Sequence, residues 1–493
     1  MTTLYELYLQ VTSANLTYND LEERWQFYLQ SYQGGEEYRM AGHLTRYVNE
    51  SGPEYQARLA STPLDNHCRS VISVYTSFLF REEPERELGS LQADPMLEDF
   101  IKDADLDGRS LNSFMKEVSI WSNVFGHCFI LLTKPNVGAV TMADEQASGV
   151  RPYVNLLTPL TVMDWSWNRN QLGRYTLDMI KYVEDVNGDE QVIKQWTPED
   201  ITTWVIDTKK QEVTGEFVEP NGLGMVPAIV AYGNRGPIRG VGVSDLSDIA
   251  DHQKKIYNEY SEVEQSIRLN GHPALVKTPD VEASAGAGAI VQIPDNLDPG
   301  LKPYMLAVTT DIASIYNSIQ NSVDAIDKMA NTGAIRATQT RTLSGVAMET
   351  EFALLNAKLS EKADNLELAE EQMWKLYALY QGQQFNGKIE YPDSFNIRDD
   401  LKELQKLSVA KATATDARVI ALIDHELVEA LGEDPEFVLG TSEYLPPEQL
   451  PPQVPFEPHY MCDPVTGKEY IARTEAEHMA YAALGYYHKM EEY

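Results

Sequence analysis

Between residues 243 and 270 the apolar side chains fall on a single stripe. Leu246, Ile249, Gln253, Ile256, Tyr260, Val263 and Ile267 step by 3, 4, 3, 4, 3 and 4. That spacing keeps one face of a helix apolar, whereas a strand needs alternation by two. The segment predicts one long helix, Val243 to Asn270, with a heptad seam that has one polar member, Gln253. Gly271 and Pro273 stop it. Val308, Ile312, Ile315, Ile319, Val323 and Ile326 mark a second helix, from about Leu306 to Asn331. Residues 272–305 hold five prolines and read as extended and turn-rich, with a strand at AIVQI (289–293). Two long helices thus bracket a small extended module, like a stalk with a tip. One such stalk cannot cover every face of its seams, and burying an aliphatic side chain is worth about 1.5–3 kcal/mol. Association of several copies is expected, with Leu246, Ile249, Ile256, Tyr260, Val263, Ile267, Ile312, Ile315 and Ile319 as packed positions. Long core helices of a bundle are the plainer reading of the same spacing.

The second helix runs into NTGAIRATQTRTLSG, residues 331–345. No acid occurs between Asp327 and Glu349, while Lys328, Arg336 and Arg341 are basic. The interval stands out because the chain holds 75 Asp and Glu against 40 Lys and Arg, a net charge of −35. Its threonines and glycines, with no apolar periodicity, predict a flexible loop. A solvated loop with incidental arginines and a loop that touches a polyanion both fit it. Val346 to Tyr380 then reads as a very long helix, capped by Ser344, with Glu349 and Glu351 near its positive end. Leu355, Leu359, Leu366, Met373, Leu376 and Tyr380 mark its apolar side. At ~1.5 Å per residue it spans roughly 50 Å.

Upstream, residues 1–240 read as an α+β body. Helices are predicted over 54–80 and 110–124. GHCFILLTKP reads as a buried strand ended by Pro135. Further strands are expected at RPYVNLL, YTLDMIKYVE, EQVIKQW, DITTWVID and QEVTGEFVE, separated by turns that include Asn-Gly pairs. Downstream, KIEYPDSF is a short strand and 399–431 is helical. LPPEQLPPQVPFEP, with six prolines, is a stiff linker. CDPVTGKEYIA reads as a hairpin and TEAEHMAYAAL as a short helix opened by a Thr474–Glu477 capping box.

Motifs for chemistry are mostly incomplete. Cys68, Cys128 and Cys462 give neither a disulfide framework nor a zinc pattern, so a reducing compartment is expected. The longest apolar run, CFILL (128–132), is too short to span a membrane. With no signal-like start, a soluble chain made in the cytosol is expected. The net acidity argues against a broad grip on nucleic acid; any contact is local. DADLDG (Asp103, Asp105, Asp107, Gly108) matches the start of a calcium loop, but its twelfth position is Phe114 instead of glutamate. Asp107 is instead the expected cap of the next helix. HELVE (425–429) lacks the second histidine of a zinc motif. GVGVS (240–244) lacks the phosphate-loop lysine and reads as a plain turn. No catalytic residue, cofactor or metal follows.

The order from 243 to 380 is helix, extended tip, helix, Thr-rich loop, very long helix. That order, with three stretches, resembles the portal proteins of tailed bacteriophages. The stretches are YQARLASTPLDNHCRSVISVYTSFLFREEPE, SDLSDIADHQKKIYNEYSEVEQSIRLNGHPAL and TRTLSGVAMETEFALLNAKLSEKADNLE. The resemblance covers roughly residues 50–430 and rests on order and lengths. It implies a portal fold: an α/β wing, a two-helix stem, a small extended clip, a long wing helix and a helical crown, assembled in a ring usually of twelve. By position, 1–240 with 346–398 would be the wing, 241–270 and 306–331 the stem, and 271–305 the clip. Residues 332–345 would be the tunnel loop, 399–431 the crown, and 432–493 a Pro-rich linker and tail.

The same resemblance implies a virion protein at one capsid vertex, assembled in the host cytoplasm, with no cofactor and no catalysis of its own. Implied partners are copies of itself, the terminase large subunit, then a head-completion or tail adaptor, and the major capsid and scaffolding proteins. Double-stranded DNA would pass through non-specifically; no membrane is involved. Arg336, Arg341, Thr338, Thr340 and Lys328 would form the DNA-channel loop. Lys277, Asp280, Glu282, Asp295 and Asp298 would serve clip docking. An acidic wall would keep the duplex from sticking, while a few arginines touch phosphates briefly. Competing readings are another neck or tail ring protein, usually shorter and richer in strands, and a metal-dependent hydrolase, which the incomplete motifs disfavour.

Overall fold

Seven helices lie in the first 125 residues. They span Leu4–Thr12, Leu16–Gln33, Gly35–Met40, Gly52–Ser61, His67–Leu79, Leu97–Lys102 and Leu111–Phe125. Four of them, including 16–33, 67–79 and 111–125, join the core that surrounds one buried strand, while 4–12 packs on other strands and 35–40 with 52–61 forms a separate cluster around Tyr257. The computed structural model describes residues 4–135, 148–271, 274–276, 298, 300, 304–306, 311–336, 345–392, 395, 400–415, 417–430, 459–464, 466–484 and 486–488. Where 54–80 was expected as one helix, the chain breaks at Thr62. Pro63 disfavours helical backbone before it, and Asn66 starts a new helix by accepting from the Arg69 amide. The 111–125 helix is capped by Ser110, not by Asp107. Sequence reading assigned no elements to the first fifty residues.

The strands are β1 (Glu85–Glu87), β2 (His127–Thr133), β3 (Tyr153–Leu157), β4 (Val162–Arg169), β5 (Tyr175–Asn187), β6 (Glu190–Trp196), β7 (Asp200–Asp207), β8 (Glu212–Pro220) and β9 (Ala228–Tyr232). All of β2 is buried, as its unbroken apolar run predicts. It is the middle of an antiparallel sheet ordered β3-β2-β9. Strands β4 to β8 form a five-stranded meander in sequence order. Strand β4 escaped sequence reading because two register shifts, at Val162/Asp164 and Ser166/Trp167, break its alternation.

The helix after β9 runs from Ile249 to Gly271, not from Val243. Residues 245–248 are turns. Ser244 Oγ donates to Val124 O (2.5 Å) and accepts from the Leu246 amide (2.9 Å), which holds this lead-in on the helical body. The chain then forms β10 (Ala274–Val276), which pairs antiparallel with β11 (Tyr304–Leu306). Because 304–306 is extended, the second long helix starts later than expected. It spans Ile312–Ala330, with Asp311 as its cap and Asn331 closing it at φ 57°. The third long helix is Gly345–Tyr380. β12 (Lys388–Glu390) returns to pair with β1. The strand expected at 289–293, the Ser344 cap and the Pro-rich linker lie outside the described residues.

The described chain forms two compact units, Met1–Asn396 and Ile397–Tyr493. The second holds helices Asp400–Thr413 and Ala417–Ala430, the expected hairpin of β13 (His459–Cys462) with β14 (Glu469–Ala472), β15 (Tyr487–His488), and helix Glu475–Ala483. The side chain of Glu477 lies outside the described residues, and with it the Thr474 capping box.

One expectation is corrected here. Leu246, Ile249, Ile256, Val263 and Ile319 are buried within the chain itself. They join one core with Trp25, Val71, Tyr75 and Leu359. Tyr260, Ile312 and Ile315 are half-buried against that core; Ile267 is 48% exposed. The seam faces the helical body, so most of it needs no second copy.

Candidate functional site

Two of the three long helices meet at one carboxylate, and the third is tied in through a tyrosine. Asp245 lies in the turn that feeds the 249–271 helix, with its amide on Asn123 O (3.0 Å). Its side chain takes Lys362 Nζ at 2.6 Å, Lys358 Nζ at 3.1 Å and Asn234 Nδ2 at 3.2 Å. Lys362 also donates to Asn123 Oδ1 (2.8 Å). Lys358 donates to the Tyr75 hydroxyl (2.9 Å), which in turn donates to Ala330 O (2.6 Å). Two lysines one helical turn apart therefore join the long helix to the root of the first long helix, to helix 67–79 and to the end of the 312–330 helix.

Asp245 and Lys362 are each 2% exposed. Burial pushes the Asp245 carboxyl up, but the two ammonium groups outweigh it and hold it below its usual range. Burial lowers Lys362, and Asp245 offsets that only in part. For Lys358 the opposition of burial is overcome by Asp245, and the result is raised. Such a cluster is held by mutual neutralisation, so losing one member leaves a charge without solvent or partner.

A second set of bonds grips the 249–271 helix along its length. Gln253, the polar member of the seam, accepts from the Cys68 amide and donates to Ser31 O, both at 2.9 Å. It thus satisfies an orphan amide at the start of helix 67–79. Further along, Asn258 accepts from the Thr45 amide (2.8 Å), and Glu262 accepts from the Tyr47 hydroxyl (2.6 Å). Arg58, 1% exposed, donates to Ser261 Oγ (2.8 Å) and twice to Glu50 (2.8 Å each). Its guanidinium lies 4.1 Å from the Tyr47 ring centroid. Between the two paired helices, Lys255 donates to Ser322 Oγ (2.9 Å) and Ser318 donates to Glu259 (2.6 Å).

The residues expected from sequence fall out unevenly. Arg336 ends a short helix, Gly333–Arg336. It pairs with Asp327 at 2.7 Å and lies 2.6 Å from His67 Nδ1, with 12% of its side chain exposed. This corrects the expectation of a free loop arginine: the turn at Asn331 folds residue 336 back onto the end of the preceding 312–330 helix. Burial, aided by Arg336, lowers His67, and because a guanidinium can only donate, His67 Nδ1 is the acceptor in this contact. Lys328 is exposed on the last turn of the 312–330 helix. Asp298 is exposed and accepts from the Gly300 amide (2.9 Å). Arg341, Thr338, Thr340, Lys277, Asp280, Glu282 and Asp295 lie outside the described residues.

The incomplete motifs have structural uses. Asp103 accepts from Arg151 (3.0 Å) and the Gly108 amide (2.8 Å), and Asp105 pairs with Arg109. In GVGVS, a Cβ on Gly242 would sit 1.9 Å from Gly126 O, so the motif is a backbone crossing. Sequence reading missed Asp245, Lys358, Lys362 and Arg58. A signal existed for the lysines: they sit four apart beside Leu355, Leu359 and Leu366, where a solvated lysine is out of place.

A family described as "Phage portal protein, SPP1 Gp6-like" matches residues 22–409. Among solved structures, a chain from the neck of an empty GTA particle computed with C6 symmetry is similar at TM-score 0.44 and 11% identity, over 79% of this chain and 98% of that one. A chain from the virion of the native gene transfer agent (GTA) particle gives 0.42 and 10%, over 78% and 97%. A chain from the neck of the native particle computed with C12 symmetry gives 0.42 and 11%, over 80% and 98%. No curated protein matches the sequence.

Proposed function

We propose, for a chain that belongs to the SPP1 Gp6-like family of phage portal proteins, a division of labour among its long helices. As a member of that family it forms a portal ring at the capsid vertex of a virion. In our reading twelve copies surround a channel for double-stranded DNA. The 249–271 and 312–330 helices are the stem, and their side-by-side bonding and the β10–β11 ribbon beyond them support it. Residues 271–305 are the clip, where the terminase large subunit docks during packaging and an adaptor docks afterwards. Residues 399–431 are the crown, and the helical body with its sheets is the wing, turned to capsid and scaffolding proteins. Residues 332–345 are the tunnel loop. Arg336 anchors its first turn, leaving Arg341 and Lys328 for brief contacts with phosphates. The chain does no catalysis; a motor supplies the work.

The observation that carries this reading is the family match over 22–409, which takes in all three long helices. Native mass measurement at micromolar concentration in moderate salt is expected to give a ring of about twelve copies. Replacing Ser284 to Ala289 by a short Gly-Ser loop should leave that ring and its thermal melt unchanged while reducing capture of the terminase large subunit. Monomer alone would overturn the ring, and undiminished capture would overturn the clip assignment.

A further inference from the structure

Two of the acid-free stretches of this acidic chain, 165–177 and 220–244, together carry Arg169, Arg174, Arg235 and Arg239. The fold brings them side by side. The Arg239 guanidinium lies 3.9 Å from the Tyr175 ring centroid and 5.8 Å from that of Trp167. Arg169 lies 5.5 Å from the same Tyr175 ring, and Arg235 lies 5.3 Å from Tyr232. Three of the four guanidinium groups lie over rings, and Arg169 Nε also donates to Gly173 O (3.2 Å). All four arginines are exposed, and no carboxylate among the described residues pairs with them. Beside them Leu172 is 84% exposed and Ile238 51%.

An opposite surface exists on the same unit. Glu82, Glu83, Glu85, Asp364, Glu367 and Glu390 line a cleft of about 420 Å³. Glu82 pairs with Arg81 at 3.3 Å and Glu390 pairs with Lys388, but no basic side chain among the described residues pairs with Glu83, Glu85, Asp364 or Glu367. Burial pushes the Glu367 carboxyl up, and Asp364, Glu371 and Glu390 add to the rise. The two surfaces flank the long helix. Asn365 reaches Gly233 O (3.5 Å), next to the arginine patch, while Glu367 accepts from the Tyr391 amide (3.4 Å) at the cleft. Residues two apart on a helix point about 200° apart.

A closed ring needs two different, complementary patches on every copy. Copies of net charge −35 also repel unless opposite charges face each other where they touch. We propose that the arginine patch of one copy docks in the acidic cleft of the next copy in the ring. This rests on the ring reading above. A neighbouring copy is favoured over DNA because Leu172 and Ile238 gain from burial against protein and gain nothing against phosphate.

The test uses full-length chains and native mass spectrometry. Arg174→Glu with Arg239→Glu, and separately Glu82→Lys with Glu83→Lys, should each raise the concentration for half-assembly at least ~10-fold. Mixed one to one, they should form rings again, with strictly alternating copies. If the double arginine variant fails to fold, Arg174→Glu alone, whose side chain stacks on no ring, should shift assembly in the same direction. Variants that assemble like wild type, or a mixture that does not recover, overturn the inference while the ring stands. An arginine variant that forms rings normally but loses salt-dependent binding to a duplex oligonucleotide assigns the patch to DNA, and also overturns it. Wild type that stays monomeric removes the ring reading, and this inference with it.

Discussion

Asp245 is one carboxylate balancing two ammonium groups, of which Lys362 is as buried as the carboxylate itself. Asp245→Ala should therefore cost about 3–5 kcal/mol, because Lys362 is left charged and buried. Urea unfolding followed by circular dichroism measures it. Adding Lys362→Met to that variant should recover part of the loss, and the cycle should show a coupling above ~1 kcal/mol. A cost below ~0.5 kcal/mol, the level of an ordinary surface change, would mean the lysines find water. Arg336 and Arg341 show why residue roles were only half legible. In sequence both are basic residues of an acid-free interval. Asp327 is also in plain view, but nothing local says that Asn331 adopts a left-handed turn and returns Arg336 to it. Charge pairing across a turn depends on backbone geometry that composition does not encode.

At the scale of elements, the apolar spacing of 249–271 was legible and its partner was not. Periodicity tells which face is buried, not against what. Gln253 was the clue: a polar seam member marks a partner that offers backbone groups, here the Cys68 amide and Ser31 carbonyl. Both helix starts were set by signals outside the stripe, Ser244 at one and the extended 304–306 ribbon at the other. The long helix was legible almost to the residue because nothing in 36 residues interrupts it. The grip of the 43–61 segment on the 249–271 helix is a prediction at this scale. Arg58→Ala removes the bidentate partner of Glu50, which is 6% exposed, and should cost about 3 kcal/mol locally. Hydrogen exchange of the Thr45 amide and the 52–61 helix should then speed up by roughly 100-fold, while β5 to β7 stay protected. Uniform acceleration across all elements would show that the segment is part of one global unit.

For the molecule as a whole, stability should fall in acid before its carboxylates titrate. Burial lowers His127 to about 3, and burial with Lys254 lowers His43 to about 4. A histidine depressed in the fold takes up its proton first when unfolded. Its contribution is complete above pH 6.5 and is lost as pH falls from there toward the folded value. Between pH 6.5 and 5 the fully buried His127 alone should cost roughly 2 kcal/mol. Urea midpoints at pH 7 and 5 measure the slope, and His127→Gln should flatten it; a midpoint that does not move would refute the assignment. The long helix, finally, is fastened partway along. Lys358 and Lys362 hold it at Asp245, and Tyr377 and Tyr380 bond to Asp94 and to the Leu132 carbonyl near its end. From Lys362 back to Gly345 is ~25 Å of helix at ~1.5 Å per residue. It is a lever with a charged fulcrum: a tilt of ~10° about Asp245 swings Gly345 by ~4 Å. The other arm, from Lys362 to Tyr380, is ~27 Å long and is held at its far end by Tyr377 and Tyr380, so a bend at Asp245, and not a rigid tilt of the whole rod, is what moves Gly345 while Tyr380 stays in place.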